Sequence, residues 1–186
     1  KMVKYDEHVG LNQRMPGYQV RLGLGLHIGY AIEGAIGSYY KIDASYLSSH
    51  VRMAERLEGS TKHYGVPLLI SETLHRKFTR KTKGYCRTVD YCVMAGNPKP
   101  VRLFTIDINS DKIPLEEEVP YMNPKQKKIQ RVHDRMKRNN LREAAFKNEV
   151  QISSLFESNA DIAIMRKPFT KHFLGSYEKG FNEWLV

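Results

Sequence analysis

Long apolar runs are absent from this 186-residue chain. No segment approaches the roughly 18 consecutive apolar residues from which a membrane-spanning helix is predicted, so we expect no membrane span. The first ten residues, KMVKYDEHVG, contain no apolar core segment and therefore do not have the composition of a secretory signal peptide.

Cysteine is also scarce. The chain has two, Cys86 and Cys92, which lie six residues apart in one predicted strand and would point to the same face. A disulfide between them would require the strand to buckle, so we expect free thiols in a reducing compartment. We therefore predict a cytoplasmic location, which includes the cytoplasmic face of a membrane or a cytoskeletal or ciliary assembly. No set of cysteines and histidines has the spacing of a metal site.

Positive charge is in excess, with 30 Lys and Arg against 20 Asp and Glu. Much of it lies in the segment Lys125 to Lys147, which has nine Lys or Arg against Asp134 and Glu143. Such a helix can be a solvated face or can bind acidic protein, acidic lipid or nucleic acid. The segment has no run of aromatic residues for base stacking, so we expect protein docking and no nucleic acid.

Alternating apolar residues predict the first strand of the fold: Val20, Leu22, Leu24, Leu26 and Ile28. This spacing is typical of a strand with one buried face. Gly29 ends the run, and Tyr30 to Ile36 forms a second apolar run with glycines that suit tight turns, so we expect the two runs to form a hairpin. A polar connection is expected after Gly37 and Ser38.

A helix is predicted next, because Leu47, Val51, Ala54 and Leu57 recur at intervals of three and four residues. Gly65 is a typical stop for it. Further on, a short strand is expected over Pro67 to Ile70, followed by a helix that Ser71 caps, with Glu72 in its first turn.

Two further strands are predicted, Tyr85 to Met94 and Val101 to Ile108, on either side of the turn-forming sequence AGNPKP. We expect an antiparallel hairpin with Asn97 in its turn. After Asn109 the composition becomes acidic and proline-rich, which indicates a linker over residues 109–124.

The C-terminal segment has an aromatic stripe after a candidate N-cap, Thr170. Its members recur at intervals of four, four, four and three residues: Phe169, Phe173, Tyr177, Phe181 and Trp184. This stripe predicts a docking face on a helix, because exposed aromatic surface of this kind needs a partner. The partner is either the rest of the same polypeptide or another subunit.

Three segments in order carry a resemblance to a known family: LGLHIGYAIEGAIGS, MAERLEG and GVPLLISE. They resemble the second half of a class III nucleotidyl cyclase catalytic domain. The segment YKIDASYLSSHV is similar to the corresponding sequence in long multidomain protist proteins of this family. The resemblance implies an α/β (α+β) fold with a ferredoxin-like sheet, packed helices and a helical C-terminal tail. It divides the chain into a lead-in segment (1–19), the C-terminal half of a cyclase-homology domain (20–108), the linker (109–124), and a basic helix with an aromatic tail helix (125–186).

The resemblance also implies site residues. Arg56 in MAERLE falls at the position of the arginine that stabilises charge on the transferring phosphorus group, a task suited to a fork-shaped, permanently charged guanidinium. Arg52 stands where the family has an asparagine, and Asp43 falls near the position of the base-reading acid, although there it could equally be a turn residue. Asn97 stands at the position of a phosphate-binding lysine, with Lys99 as the nearest cation.

The family's metal-binding aspartates belong to the half of the domain that would precede residue 20. Asp6 and Glu7 are adjacent there and would point to opposite faces of a strand. Mg²⁺ or Mn²⁺ is therefore expected only if an upstream half or a partner supplies the carboxylates.

The sequence is compatible with two functions. The first is a degenerate cyclase domain that serves as a structural or regulatory subunit of a larger assembly in cyclic nucleotide signalling. The alternative is an active adenylate cyclase, with guanylate cyclase less favoured, which converts ATP to cyclic AMP and pyrophosphate. The expected partners are a second cyclase-type domain or other protein subunits, with ATP or GTP as candidate ligand. A basic RNA-binding module is disfavoured because the chain lacks the aromatic pattern of such modules.

Overall fold

The computed structural model describes residues 9–18, 22–109, 112, 122–147 and 152–185. The described residues form two compact units, one over residues 108–168 and the other over residues 9–107 together with 169–185. Most of the predicted linker at 109–124, and residues 1–8 and 19 of the predicted lead-in, lie outside the described part of the chain.

The secondary-structure elements follow in chain order. The larger unit begins with α1 (Val9–Arg14), β1 (Leu24–Leu26), β2 (Ile32–Gly37), β3 (Ile42–Leu47) and α2 (Ser49–Tyr64). It continues with β4 (Leu68–Ser71), α3 (Glu72–Lys77), α4 (Arg80–Lys83), β5 (Arg87–Cys92) and β6 (Val101–Thr105). The smaller unit has α5 (Pro124–Phe146), α6 (Ile152–Ser158) and α7 (Ala160–Arg166), and α8 (Lys171–Trp184) belongs to the larger unit again.

A four-stranded mixed sheet with the order β1-β4-β6-β5 is the centre of the larger unit. β1 and β4 are parallel, whereas β6 runs antiparallel to both of its neighbours. The core lies between this sheet and α2, around Leu57, Leu69, Met94 and Leu103. The mixed α/β class, the packed helices and the C-terminal helix are therefore confirmed.

The expected hairpin between the first two apolar runs is wrong. β2 pairs with β3 instead, through a turn in which the Ser38 backbone N–H donates to the Lys41 carbonyl (2.8 Å), while β1 pairs with β4. The segment predicted as a polar connection is therefore strand β3. The tight turn brings the chain straight back, so that β2 and β3 form a separate two-stranded sheet.

The expected buried face of the first strand is also wrong. Gly23 and Gly25 face α2, and a Cβ at Gly25 would lie 2.2 Å from the Ala54 carbonyl oxygen, so only glycine allows the helix to come this close. The alternating apolar residues point away from α2 and are exposed by 42–64%: Leu22, Leu24, Leu26 and Ile28. The alternation is present as predicted, but the face that carries Gly23 and Gly25 is the packed one.

Other predictions for the larger unit are confirmed. Gly65 ends α2 as predicted, with φ of 64°, and the helix begins at a cap that was not predicted, the Ser48 side chain, which accepts from the His50 and Val51 N–H groups. Ser71 caps α3 as predicted. β5 and β6 form the expected antiparallel hairpin, with Asn97 in the connection. Neither Cys86 nor Cys92 forms a disulfide.

The aromatic tail helix packs on its own chain. Thr170 caps α8 by accepting from the Phe173 N–H (3.2 Å), as predicted. The Arg87 guanidinium lies 4.7 Å from the centre of the Tyr177 ring, and the Thr88 hydroxyl donates to Glu178 (2.9 Å). The stripe therefore contacts β5, while Trp184 at the end of the helix remains 74% exposed.

The smaller unit contains the predicted basic helix. α5 begins with a reciprocal capping box in which the Asn123 side chain accepts from the Gln126 N–H (2.8 Å) and the Gln126 side chain accepts from the Asn123 N–H (2.9 Å).

Among the described residues, no helix is both long and apolar enough to cross a membrane.

Candidate functional site

An open cleft of about 780 Å³ lies in the larger unit between the first half of α2, the β5–β6 connection and the junction of β4 with α3. Apolar side chains form part of its lining, together with side chains that can bind an anion or a polar ligand and the carboxylates of Glu55 and Glu72. The side chains able to bind such a ligand are His27, Tyr46, Ser49, His50, Arg52, Arg56, Thr73 and Asn97. The cleft is therefore suited to a polar, negatively charged ligand.

Arg56 is held at the cleft by the chain itself. Its Nη1 donates a hydrogen bond to the Ala95 carbonyl oxygen in the β5–β6 connection. The next residue, Gly96, has φ of 74°, and a Cβ there would lie 2.8 Å from Nη1 of Arg56. Glycine at this position both permits the turn and leaves space for the guanidinium.

Arg52 lies one helical turn before Arg56 on the same helix and is exposed in the cleft. Asn97 lines the other side of the cleft and is half-buried. The Asn97 backbone N–H donates to the Met94 carbonyl (2.9 Å), and the Asn97 side-chain oxygen accepts from the Lys99 backbone N–H (3.3 Å). Asn97 therefore stabilises the turn as well as facing the cleft.

The other two predicted site residues do not line the cleft. Asp43 lies in β3, opposite Ile36 of β2, where it forms an exposed ion pair with Lys41 (2.8 Å). Lys99 is an exposed residue of the β5–β6 connection. The structure thus brings Arg52, Arg56 and Asn97 to one cavity and leaves Asp43 and Lys99 outside its lining.

Sequence reasoning missed a group of polar residues at one end of the cleft. Nδ1 of His27 lies 2.7 Å from the Ser71 hydroxyl, and Nε2 of His27 lies 2.9 Å from Nδ1 of His50. The two imidazoles are stacked, and the Tyr30 ring meets His50 edge-on at 5.0 Å. The one signal in the sequence is that His27 interrupts the apolar end of the first strand.

Burial, together with the nearby His50, lowers the pKa of His27 below its usual value. The lowered pKa favours the neutral form of His27, and its hydrogen bonds to Ser71 and His50 connect the end of β1 to the beginnings of α2 and α3.

Metal binding does not fit the described residues. The carboxylates at the cleft are Glu55 and Glu72, and no group of three or more His, Cys, Asp or Glu in the described ranges is arranged to hold a metal ion. Burial alone would raise the pKa of Glu72, but hydrogen bonds from the Arg102 backbone N–H (3.2 Å) and the Arg76 guanidinium (2.5 Å) lower it overall. Glu72 is therefore engaged with arginines.

Chemically, the arrangement favours binding of phosphate groups. Two guanidinium groups on one helix face are donor-only, permanently charged and geometrically matched to phosphate oxygens. An amide on the opposite wall can donate to or accept from a ligand. The described residues offer such an anion site, and no group of three or more metal-binding side chains among them is arranged to hold a cation.

Comparisons with known proteins find similarity over part of the chain. No family model matches the sequence. An adenylate cyclase of Anabaena cylindrica is 28% identical over 89 residues, which is 47% of this chain and 18% of that protein. The chain thus spans less than a fifth of the length of the curated relative that it matches.

Two structures of bacterial light-regulated adenylyl cyclases are also similar, each 24% identical over 45% of this chain. Their TM-scores are 0.36 and 0.33, and the match covers 23% and 40% of those chains. The sequence similarity to an adenylate cyclase supports a cyclase-type domain over about half of this chain.

Proposed function

We propose that this chain contains a degenerate class III cyclase domain of the long multidomain protist type. In this proposal the domain binds a nucleoside triphosphate in its cleft, turns it over weakly or not at all, and serves as a structural or regulatory subunit in cyclic nucleotide signalling. Its partner would be a second cyclase-type domain or another protein subunit in the cytoplasm or at the cytoplasmic face of a membrane.

The observation that carries the proposal is the convergence of Arg52, Arg56 and Asn97 on one cleft. Arg56 is attached to the β5–β6 connection through the Ala95 carbonyl, so the helix and the loop that would enclose the phosphates are already joined. A polyphosphate that entered the cleft would meet two guanidinium groups without a large rearrangement of the backbone. This preorganisation supports binding.

The same residues argue against efficient turnover. Arg52 occupies the position at which the resemblance expects an asparagine, and a cationic donor cannot reproduce the donor and acceptor pair of an amide. Asn97 occupies the position of the expected lysine, so a neutral amide stands where a positive charge would contact a phosphate group. Removal of one preorganised stabilising group typically costs about 10²–10³ in rate. Two such changes, even if they are not additive, leave little activity.

The alternative, an active adenylate cyclase, depends on Arg56 and on the similarity to an adenylate cyclase. It requires Mg²⁺ or Mn²⁺ held by carboxylates that the described residues do not supply. Arg52 would then add positive charge near the phosphates.

Binding of a fluorescent ATP analogue, with ATP and GTP as competitors, tests the proposal on the full-length protein. We expect Arg56→Ala and Arg52→Ala each to weaken binding by about 10-fold or more, because charge-assisted hydrogen bonds contribute about 1.5–3 kcal/mol. Lys62→Ala is the matched control, since it removes an exposed cation from the last turn of the same helix. Equal binding by all three variants, or no binding by the parent, would reject the cleft as a nucleotide site.

A further inference from the structure

The basic helix α5 has two distinct faces. On a helix with 3.6 residues per turn, Ile129, Val132 and Met136 fall within an arc of about 60° in the first half of the helix, and Lys125 and Glu143 fall in the same arc before and after them. These three side chains are 61%, 47% and 59% exposed. A second arc of about 80°, on the other side of the helix, contains five of the cations, with Pro124 and Ala145 at its two ends along the helix: Lys127, Arg131, Arg135, Arg138 and Arg142. The helix is thus amphipathic with a narrow apolar stripe, which we call the α5 stripe (Ile129, Val132 and Met136).

The charge of α5 restricts what can cover the α5 stripe. The helix has eight Lys or Arg against two carboxylates, Asp134 and Glu143. The described side-chain contacts of Asp134 are with Gln130 (3.0 Å) and His133 (3.9 Å) on the same helix, so it neutralises none of the basic face. A partner that buries the stripe must therefore offer carboxylates around an apolar surface.

The width of the α5 stripe indicates that it fits a protein groove better than a lipid surface. Helices that lie in a membrane interface present a broad apolar face with Trp, Phe or Leu. The α5 stripe is a single row of aliphatic side chains at positions i, i+3 and i+7, which is the anchor spacing of a helix that inserts into a groove. Phe146, at the end of the helix and 83% exposed, adds one bulky anchor.

We propose that α5 binds an acidic protein of the calcium-sensor type, whose methionine-lined groove opens when its EF-hands bind calcium. In such proteins an apolar groove with carboxylate rims accepts a basic amphipathic helix. The proposal is independent of the nucleotide cleft, because it uses none of the residues that line it.

Calcium-loaded calmodulin is the probe, titrated calorimetrically against the full chain. We expect a one-to-one complex that is lost when calcium is chelated. The variant Ile129→Gln/Met136→Gln should weaken it at least tenfold, and Arg131→Gln/Arg135→Gln/Arg138→Gln should weaken it similarly and reduce its salt dependence. Ala145→Gln makes a matched change outside the stripe and should alter binding less than twofold.

The triple arginine variant keeps the α5 stripe intact, so it tests the proposal even if the stripe variant loses helix content by circular dichroism. Three results would overturn the proposal: no binding of calmodulin, binding that persists without calcium, or binding that is insensitive to the stripe variant. Tighter binding to phosphatidylserine vesicles or to duplex RNA than to calmodulin would also overturn it, because α5 would then be a lipid or nucleic-acid surface.

Discussion

Arg56 on α2 donates a hydrogen bond to the main-chain carbonyl of Ala95 in the β5–β6 connection, 39 residues further along the chain. The bond joins the candidate phosphate-binding helix to the loop on the other side of the cleft. It also leaves the guanidinium with further N–H donors, because arginine has five, so Arg56 can keep this bond and still bind an anion.

Gly96 should be essential to this arrangement. Its φ of 74° is strained for other residues, and a Cβ would lie 2.8 Å from Nη1 of Arg56. We expect Gly96→Ala to lower the free energy of unfolding by about 1–2 kcal/mol and to weaken nucleotide binding. Chemical denaturation and the fluorescent ATP analogue measure the two effects.

Gly59→Ala is the control for that change. Gly59 lies within α2, and no described atom would lie within 4 Å of its added Cβ. Alanine is favoured over glycine in a helix by about 0.5–1 kcal/mol, so this variant should be more stable than the parent. Equal effects of the two substitutions would contradict the role assigned to Gly96.

The histidine pair should make stability depend on pH. Burial, with His50 nearby, lowers the pKa of His27, so below the usual value of 6.5 the unfolded state binds a proton that the folded state binds less readily. The free energy of unfolding should therefore decrease as the pH falls from about 7.5 through this range. His27→Gln should make this decrease smaller, as measured by urea denaturation at a series of pH values.

His75 provides an independent check of the same effect. Burial and the nearby Lys83 lower its pKa, and its ring stacks on Phe104 with 3.7 Å between ring centres. His75→Gln should also flatten the pH profile, and the double variant should flatten it further. An unchanged slope in both single variants would contradict the assignment.

The sequence predicted best where local signals suffice. α2 has its apolar period and its stop glycine within one continuous segment, and the β5–β6 hairpin is joined by a turn sequence. The partner of β1 could not be predicted, since alternation specifies a face and not a neighbour. The expected buried face failed because Gly23 and Gly25 pack more closely on α2 than any side chain could.

The residues of the candidate site show the same difference between local and long-range signals. Arg52 and Arg56 share a helix face, so their common position follows from spacing alone. His27 lies 23 residues from His50 and 44 from Ser71, and their contacts depend on the parallel pairing of β1 with β4, which no local pattern indicates.

A largely buried ion pair should hold the tail helix in place. Arg87 binds both carboxylate oxygens of Asp107 at 2.6 and 2.7 Å, both side chains are less than a fifth exposed, and the guanidinium lies over the Tyr177 ring. We expect Asp107→Asn to cost about 3 kcal/mol, because breaking a buried pair leaves an uncompensated charge.

The exposed pair between Arg76 and Glu72 is the comparison for the buried one. The Arg76 side chain is 74% exposed, so Arg76→Ala should cost less than about 1 kcal/mol. Chemical denaturation of both variants measures the difference, and equal costs would show that burial does not determine the contribution of the Arg87 pair.

The last prediction concerns turnover. The unaltered full-length protein, assayed with Mg²⁺ or Mn²⁺ and with ATP and GTP in turn, should form little or no cyclic nucleotide. Arg52→Asn together with Asn97→Lys restores the amide and the lysine that the family resemblance expects, and should raise any measurable rate by about 10²-fold or more. Arg56→Ala in that background should abolish the gain, because no guanidinium at this position would then stabilise the charge on the transferring phosphorus group. Robust turnover by the unaltered protein that falls in Arg56→Ala would instead establish the active adenylate cyclase. A double variant that binds the ATP analogue but gains no rate would contradict the role assigned to Arg52 and Asn97 in limiting turnover.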